Sequence, residues 1–97
     1  MEPLKLKKPI TIDGKPVQEL SPDLENLTAG NIQTAIRELG MRQIAVTVQE
    51  TDMNFHAALF AEACEGLNMD DMDQMNAKDY LNAGRMVRDF FYLDLED

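Results

Sequence analysis

The feature that most narrows the fold is a two-residue turn signal, Asp13-Gly14, set between two apolar runs. A type I′ turn needs φ > 0 at both central residues, and Asp-Gly adopts that conformation at little cost. Upstream, Leu4, Leu6, Ile10 and Ile12 all occupy even positions, which puts them on one face of a strand. Val17 and Leu20 follow on the return strand. Residues 1–24 are therefore expected to form a β-hairpin. Pro9 and Pro16 cannot donate ladder hydrogen bonds, so these are edge strands or strand ends. A lone hairpin is only marginally stable in water and must pack on the helices that follow or on a partner.

The rest of the chain carries repeated helix-start signals. Thr28 is a candidate N-cap, with Leu27 and Ile32 at the N′ and N4 positions of a hydrophobic staple. Ile32, Ala35, Ile36 and Leu39 continue at helical spacing, and Gly40 is a candidate C′ stop. The β-branched run Ile44-Ala45-Val46-Thr47-Val48 reads either as a third strand or as an irregular continuation of that helix. A second helix begins near Asp52, with Met53, Ala57, Phe60 and Cys64 on one stripe, and ends at Gly66. Two more staples follow, Leu67-Asn68 with Met72 and Met75-Asn76 with Tyr80, each with an aspartate at N3 (Asp71, Asp79). They predict a short helix over 68–75 and a longer one over 76–92. The expected architecture is α+β: one domain over 1–97, with the hairpin packed on a small bundle of three to four helices spanning 28–92.

Composition bears on function more than on fold. The chain has 97 residues, with 18 acidic and 9 basic side chains and a net charge of −9. Nucleic-acid binders use Lys and Arg to displace counterions from phosphates, so this balance argues against nucleic acid as a partner. It argues equally against an anionic membrane surface. The charge is uneven: residues 1–18 hold four lysines against Glu2 and Asp13, and the acidic excess lies beyond them. The single cysteine, Cys64, excludes an internal disulfide and suits a reducing cytosol. No apolar run approaches the ~18 residues of a membrane span, and the N-terminus has no apolar core of a signal peptide.

Catalytic chemistry finds little support. His56 is the only histidine, and Cys64 lies eight residues later. On one helix the two stand about 12 Å apart along the axis, beyond the hydrogen-bond reach a His-activated thiol needs. No spacing matches a zinc site. Asp70-Asp71-Met72-Asp73 lacks the alternation and the glycine of a calcium loop, and reads as a helix start with favourable charges. Gly14 and Gly30 precede no Gly-Lys-Ser/Thr, so neither belongs to a phosphate loop. No enzyme activity, cofactor or metal is expected.

Methionine is the one compositional excess, with seven in the chain. Met69, Met72 and Met75 recur every three residues in the short acidic helix. They either fill a small core or offer an adaptable surface to partner helices. The run Phe90-Phe91-Tyr92-Leu93 poses the same choice, because consecutive bulky side chains cannot all face one small core. These seven residues are the candidate partner-binding set.

Three segments together resemble a known series: KPITIDGKPVQEL (8–20), LTAGNIQTA (27–35) and EACEGLNMDDMDQMNAKDYLNAGRMVRDFF (62–91). The order and spacing of Asp13-Gly14, Thr28-Ala29-Gly30, Gly66-Leu67 and Asp79-Tyr80 resemble the small tail assembly chaperones of contractile-tailed phages and prophages. Leu27 stands where that family usually has proline, Asn31 where it has aspartate, and the stretch 20–27 is longer. The resemblance implies a protein that binds the tape measure protein in the host bacterial cytoplasm and keeps it soluble. It implies help for the tail tube protein to polymerise around that core, often through a longer frameshifted form, and absence from the mature particle. This chain would be the short form or the shared N-terminal part. A small acidic chain adds solubility to whatever it coats, which agrees with that role. The edge-stranded hairpin offers a route to homo-oligomers. The alternatives are an acidic regulator that mimics nucleic acid, and a minor structural component of the tail.

Overall fold

The computed structural model describes residues 3–93, Leu93 by its backbone alone. The order is β1 (Leu4–Ile12), β2 (Lys15–Leu20), a 3-10 turn (Leu24–Asn26), α1 (Ala29–Met41), α2 (Met53–Ala63), α3 (Met69–Met72) and α4 (Ala77–Arg88). A π-helical turn, Asp89–Leu93, continues α4. The fold is α+β, a two-stranded antiparallel hairpin followed by four helices, as the sequence predicts.

Asp13 (φ 52°) and Gly14 (φ 78°) both take the left-handed conformation, and the turn closes on the Ile12–Lys15 pair. Beyond the turn the register breaks. Ile10 pairs with Val17, but Lys5 pairs with Glu19, so residues 6–9 of β1 face Gln18 alone. This wide bulge frees the Lys7 and Lys8 amides from the ladder, and Pro9 within it has no amide to donate. Leu4, Leu6 and Ile10 stay buried on the even face.

The helix starts follow their caps. Thr28 and Asn31 form a reciprocal capping box: the Asn31 amide donates to Thr28 Oγ1 (3.3 Å) and the Thr28 amide to Asn31 Oδ1 (2.8 Å). Asp52 accepts from the Phe55 amide at 2.9 Å and starts α2. Nearly every residue of α2 from Phe55 to Ala63 is buried, so it is the central helix, apolar on all sides. α1, α3 and α4 pack on it, the hairpin packs on α3 and α4, and one continuous set of buried residues runs from Leu4 to Val87.

Four expectations need correction. Gly40 does not stop α1. The helix ends one residue later, and Gln43 takes the left-handed position instead (φ 63°). The Ile44 amide donates to Leu39 O (2.8 Å) and the Gln43 amide to Gly40 O (2.9 Å). That pair is a Schellman ending, with Ile44 folded back onto the core. It also explains why Ile44–Val48 is neither strand nor helix: the ending turns the chain away and leaves it beside no strand. Met53, placed on the core stripe of α2 by its spacing, is more than half exposed, because it sits in the first helical position, before the neighbouring elements close over α2. The helix expected over 68–75 shortens to Met69–Met72. Bonds from the Gln74 amide to Asp71 O and the Met75 amide to Met72 O tighten its end into turns.

Candidate functional site

The hairpin is held to the helices by side chains that imitate a third strand. Asp79, fully buried, accepts from the Lys7 amide with both carboxylate oxygens (3.0 and 2.9 Å) and from the Lys8 amide at 3.2 Å. These are the amides the bulge released. Gln74 grips the same strand further along, accepting from the Thr11 amide and donating to Thr11 O, both at 2.9 Å. Tyr80 then ties α4 to α2, donating to Asn54 Oδ1 at 2.8 Å. Burial pushes the Tyr80 hydroxyl above its ordinary range. The Asp79-Tyr80 pair thus joins the hairpin, α4 and α2.

The expected partner-binding residues divide. Met69, Met72 and Met75 are all buried, Met72 with no exposure at all. They fill the core, and all three also back one of the surface concavities. Phe90 and Phe91 are half-buried, pack against the core and meet edge-to-face with ring centroids 4.9 Å apart. Tyr92 is half-buried, with its ring 5.8 Å from that of His56. The Leu93 side chain lies outside the described residues.

Outside the core, three adjoining concavities form a trough along one face. The first, about 360 Å³, lies between Glu38, Met41 and Arg42 at the end of α1 and Asn68, Met69 and Asp70 on the other side. The second, about 480 Å³, shares Arg42 and Met69 with the first and runs on past Ile44, Met72 and Tyr80 to Leu81. The third, about 190 Å³, shares Leu81 and is bounded by Met53, Thr51, Arg85 and Arg88. Along this line the apolar side chains left in water are Met41 (79% exposed), Met53 (54%) and Leu81 (43%). Sequence reasoning chose the buried methionines and missed these. One signal was available: Leu81, Arg85 and Arg88 repeat at i, i+4 and i+7, a stripe beside the core stripe of Tyr80, Ala83, Gly84 and Val87.

The trough is electrically polar. Glu38, Asp70 and Asp73 stand at one end and Arg85 and Arg88 at the other. Arg42 bridges Asp70 and Asp73 (2.9 Å to Asp73 Oδ2), which leaves that end with more carboxylate than cation. Among the described residues Arg85 and Arg88 form no ion pair. The nearby Asp52 carboxylate caps α2.

The remaining reactive groups are enclosed. His56 is buried with its Nε2 unpartnered. Burial holds its pKa below the ordinary value, against a hydrogen bond with the Gln49 backbone. Cys64 at the end of α2 is buried, and burial pushes its thiol up to about 12, so it carries no thiolate at neutral pH. Among the described residues no group of three or more His, Cys, Asp or Glu is placed to hold a metal, and no helix is long and apolar enough to cross a membrane.

The family model described as phage tail assembly chaperone proteins, E, or 41 or 14, matches residues 4–92. No curated protein and no solved structure matches the chain.

Proposed function

We propose, from the premise that the chain belongs to the phage tail assembly chaperone family, that it binds the tape measure protein through the trough and keeps it soluble until the tail tube closes around it. The family match over residues 4–92 carries the reading. The row of exposed Met41, Met53 and Leu81 beside Met69 and Met72 supports it. Flexible, polarizable side chains accept many apolar helix faces without a fixed fit, as a coating protein requires. Binding is mass action on exposed apolar surface, without turnover. The net charge of −9 keeps the coated complex dispersed. Tube subunits are recruited by a longer, frameshifted form, and the chaperone leaves before the particle matures. The site of action is the host bacterial cytoplasm.

The arrangement of the acids disfavours a nucleic-acid mimic, which needs carboxylates free along one stripe. Asp70 and Asp73 hold Arg42, while Asp71 and Asp79 hold backbone amides.

Co-expression with the tape measure protein of the same genome, followed by pull-down and a solubility assay, tests the proposal. A soluble, co-purifying tape measure protein supports it. An insoluble tape measure beside a freely soluble chain overturns it. Mass spectrometry of purified particles separates the chaperone, which is absent, from a structural component, which is present.

A further inference from the structure

The trough has a direction, and we infer that it accepts an amphipathic helix in one orientation only, with the helix N-terminus at the Asp70/Asp73 end and its C-terminus at Arg85 and Arg88. The inference rests on the partner-binding reading above. The walls are built largely by the end of α1, the start of α2, and α3 and α4. No strand edge lines the trough among the described residues, so an extended segment would find no ladder to join. A segment that satisfies its own backbone and presents a stripe at i, i+3, i+4 and i+7 fits instead. Three concavities in series, rather than one deep pocket, match successive anchors on such a stripe.

Charge then sets the orientation. A helix carries partial positive charge at its N-terminus and partial negative charge at its C-terminus. The acidic end of the trough, with Asp70 and Asp73 largely in water, attracts the first and repels the second. Arg85 and Arg88 do the reverse, in a chain whose net charge is −9 and whose other trough cation, Arg42, is already paired. Basic residues in the first turn of the partner and acidic residues in its last turn add to the same preference. A second copy joined trough to trough would present another concave surface, which fills neither.

Methionine methyl groups report the orientation directly. Met41 and Met69 lie at the acidic end and Met53 at the basic end. The probe is a set of peptides of about 20 residues, roughly 30 Å as helices, spanning the tape measure protein, each binding peptide carrying a nitroxide at one terminus or the other. With the chain labelled at its methionine methyls, an N-terminal nitroxide should broaden Met41 and Met69 and spare Met53. A C-terminal nitroxide should do the opposite. Asp70→Lys with Asp73→Lys, or Arg85→Glu with Arg88→Glu, should each weaken binding by about fivefold at low salt. All four together should reverse the broadening pattern. Equal broadening at both ends, or the reversed pattern in the unaltered chain, overturns the inference. So does broadening elsewhere in a chain that still retains the whole tape measure protein, and that result leaves the chaperone reading standing. Methyl shifts that grow with protein concentration without peptide would show the trough closing on a second copy, and would overturn it too. Failure to retain the tape measure protein at all removes both readings together.

Discussion

Two helix starts in this chain have the same local sequence pattern, Asn68-x-x-Asp71 and Asn76-x-x-Asp79, and the structure uses them differently. In both, the asparagine Oδ1 accepts from the amide three residues on, at 2.9 and 2.8 Å. At α3 the aspartate returns the bond locally, accepting from the Asn68 amide at 3.2 Å. At α4 the aspartate turns away from its own helix and takes the Lys7 and Lys8 amides, 72 and 71 residues distant in the chain. One motif closes a cap; the other joins the hairpin to the bundle. A capping pattern thus marks where a helix begins, and leaves open what its acid serves.

The comparison breaks most visibly under alanine. Asp79→Ala leaves two backbone donors of the bulge without their acceptor and should cost about 3–4 kcal/mol, with loss of amide protection across β1. Asp71→Ala removes half a surface capping box and should cost about 0.5–1 kcal/mol. Urea midpoints of the two variants measure the difference, and equal losses would refute the distinction. The methionines divide the same way. Met72→Ala opens a cavity in the core and should cost about 2–4 kcal/mol, whereas Met41→Ala and Met53→Ala should stay within about 0.5 kcal/mol while weakening partner binding. An aspartate at Met72 would test stability rather than binding.

A smaller effect sharpens the contrast between buried polar groups with and without partners. Asp79 is fully supplied with donors, and His56 Nε2 has none. Because burial lowers the His56 pKa in the folded chain, the unfolded chain binds the proton more readily. His56 therefore leaves stability intact above the ordinary histidine pKa and removes it as pH falls below that value. His56→Gln should flatten the stability–pH curve in the range just below pH ~6.5; an unchanged slope would show that other groups govern it. The smallest expected change is a gain. Gln43→Gly relieves a left-handed non-glycine residue at the end of α1 and should raise stability by about 0.5 kcal/mol, read from the same urea midpoints.

The parts of the fold legible in the sequence are those fixed within a few residues. Asp13-Gly14 specifies its turn through φ, and Thr28, Asp52, Asn68 and Asn76 each cap the helix that follows. Gly40 and Ile44–Val48 misled because residue type alone does not say which amide accepts the role of helix ending. The candidate site was harder to read. Apolar spacing selects a face of a helix, and the methionines of 69–75 lie on the face that the core takes. Their exposed counterparts, Met41 and Met53, stand at helix ends, where neighbouring elements determine whether a side chain is covered.

The amino-acid sequence determined the hairpin, the helix starts, the acidic balance and the family pattern, because turn conformation, capping and charge depend on near neighbours. Tertiary structure alone decided that the bulge in β1 meets Asp79, that Gln74 extends the sheet with a side chain, and that Leu81, Arg85 and Arg88 continue a line begun at Met41. Those pairings join residues far apart in the chain. The hydrogen-bonded pairings exist because amides that the ladder leaves free must find acceptors, and the packing of α3 and α4 against β1 places Asp79 and Gln74 within reach.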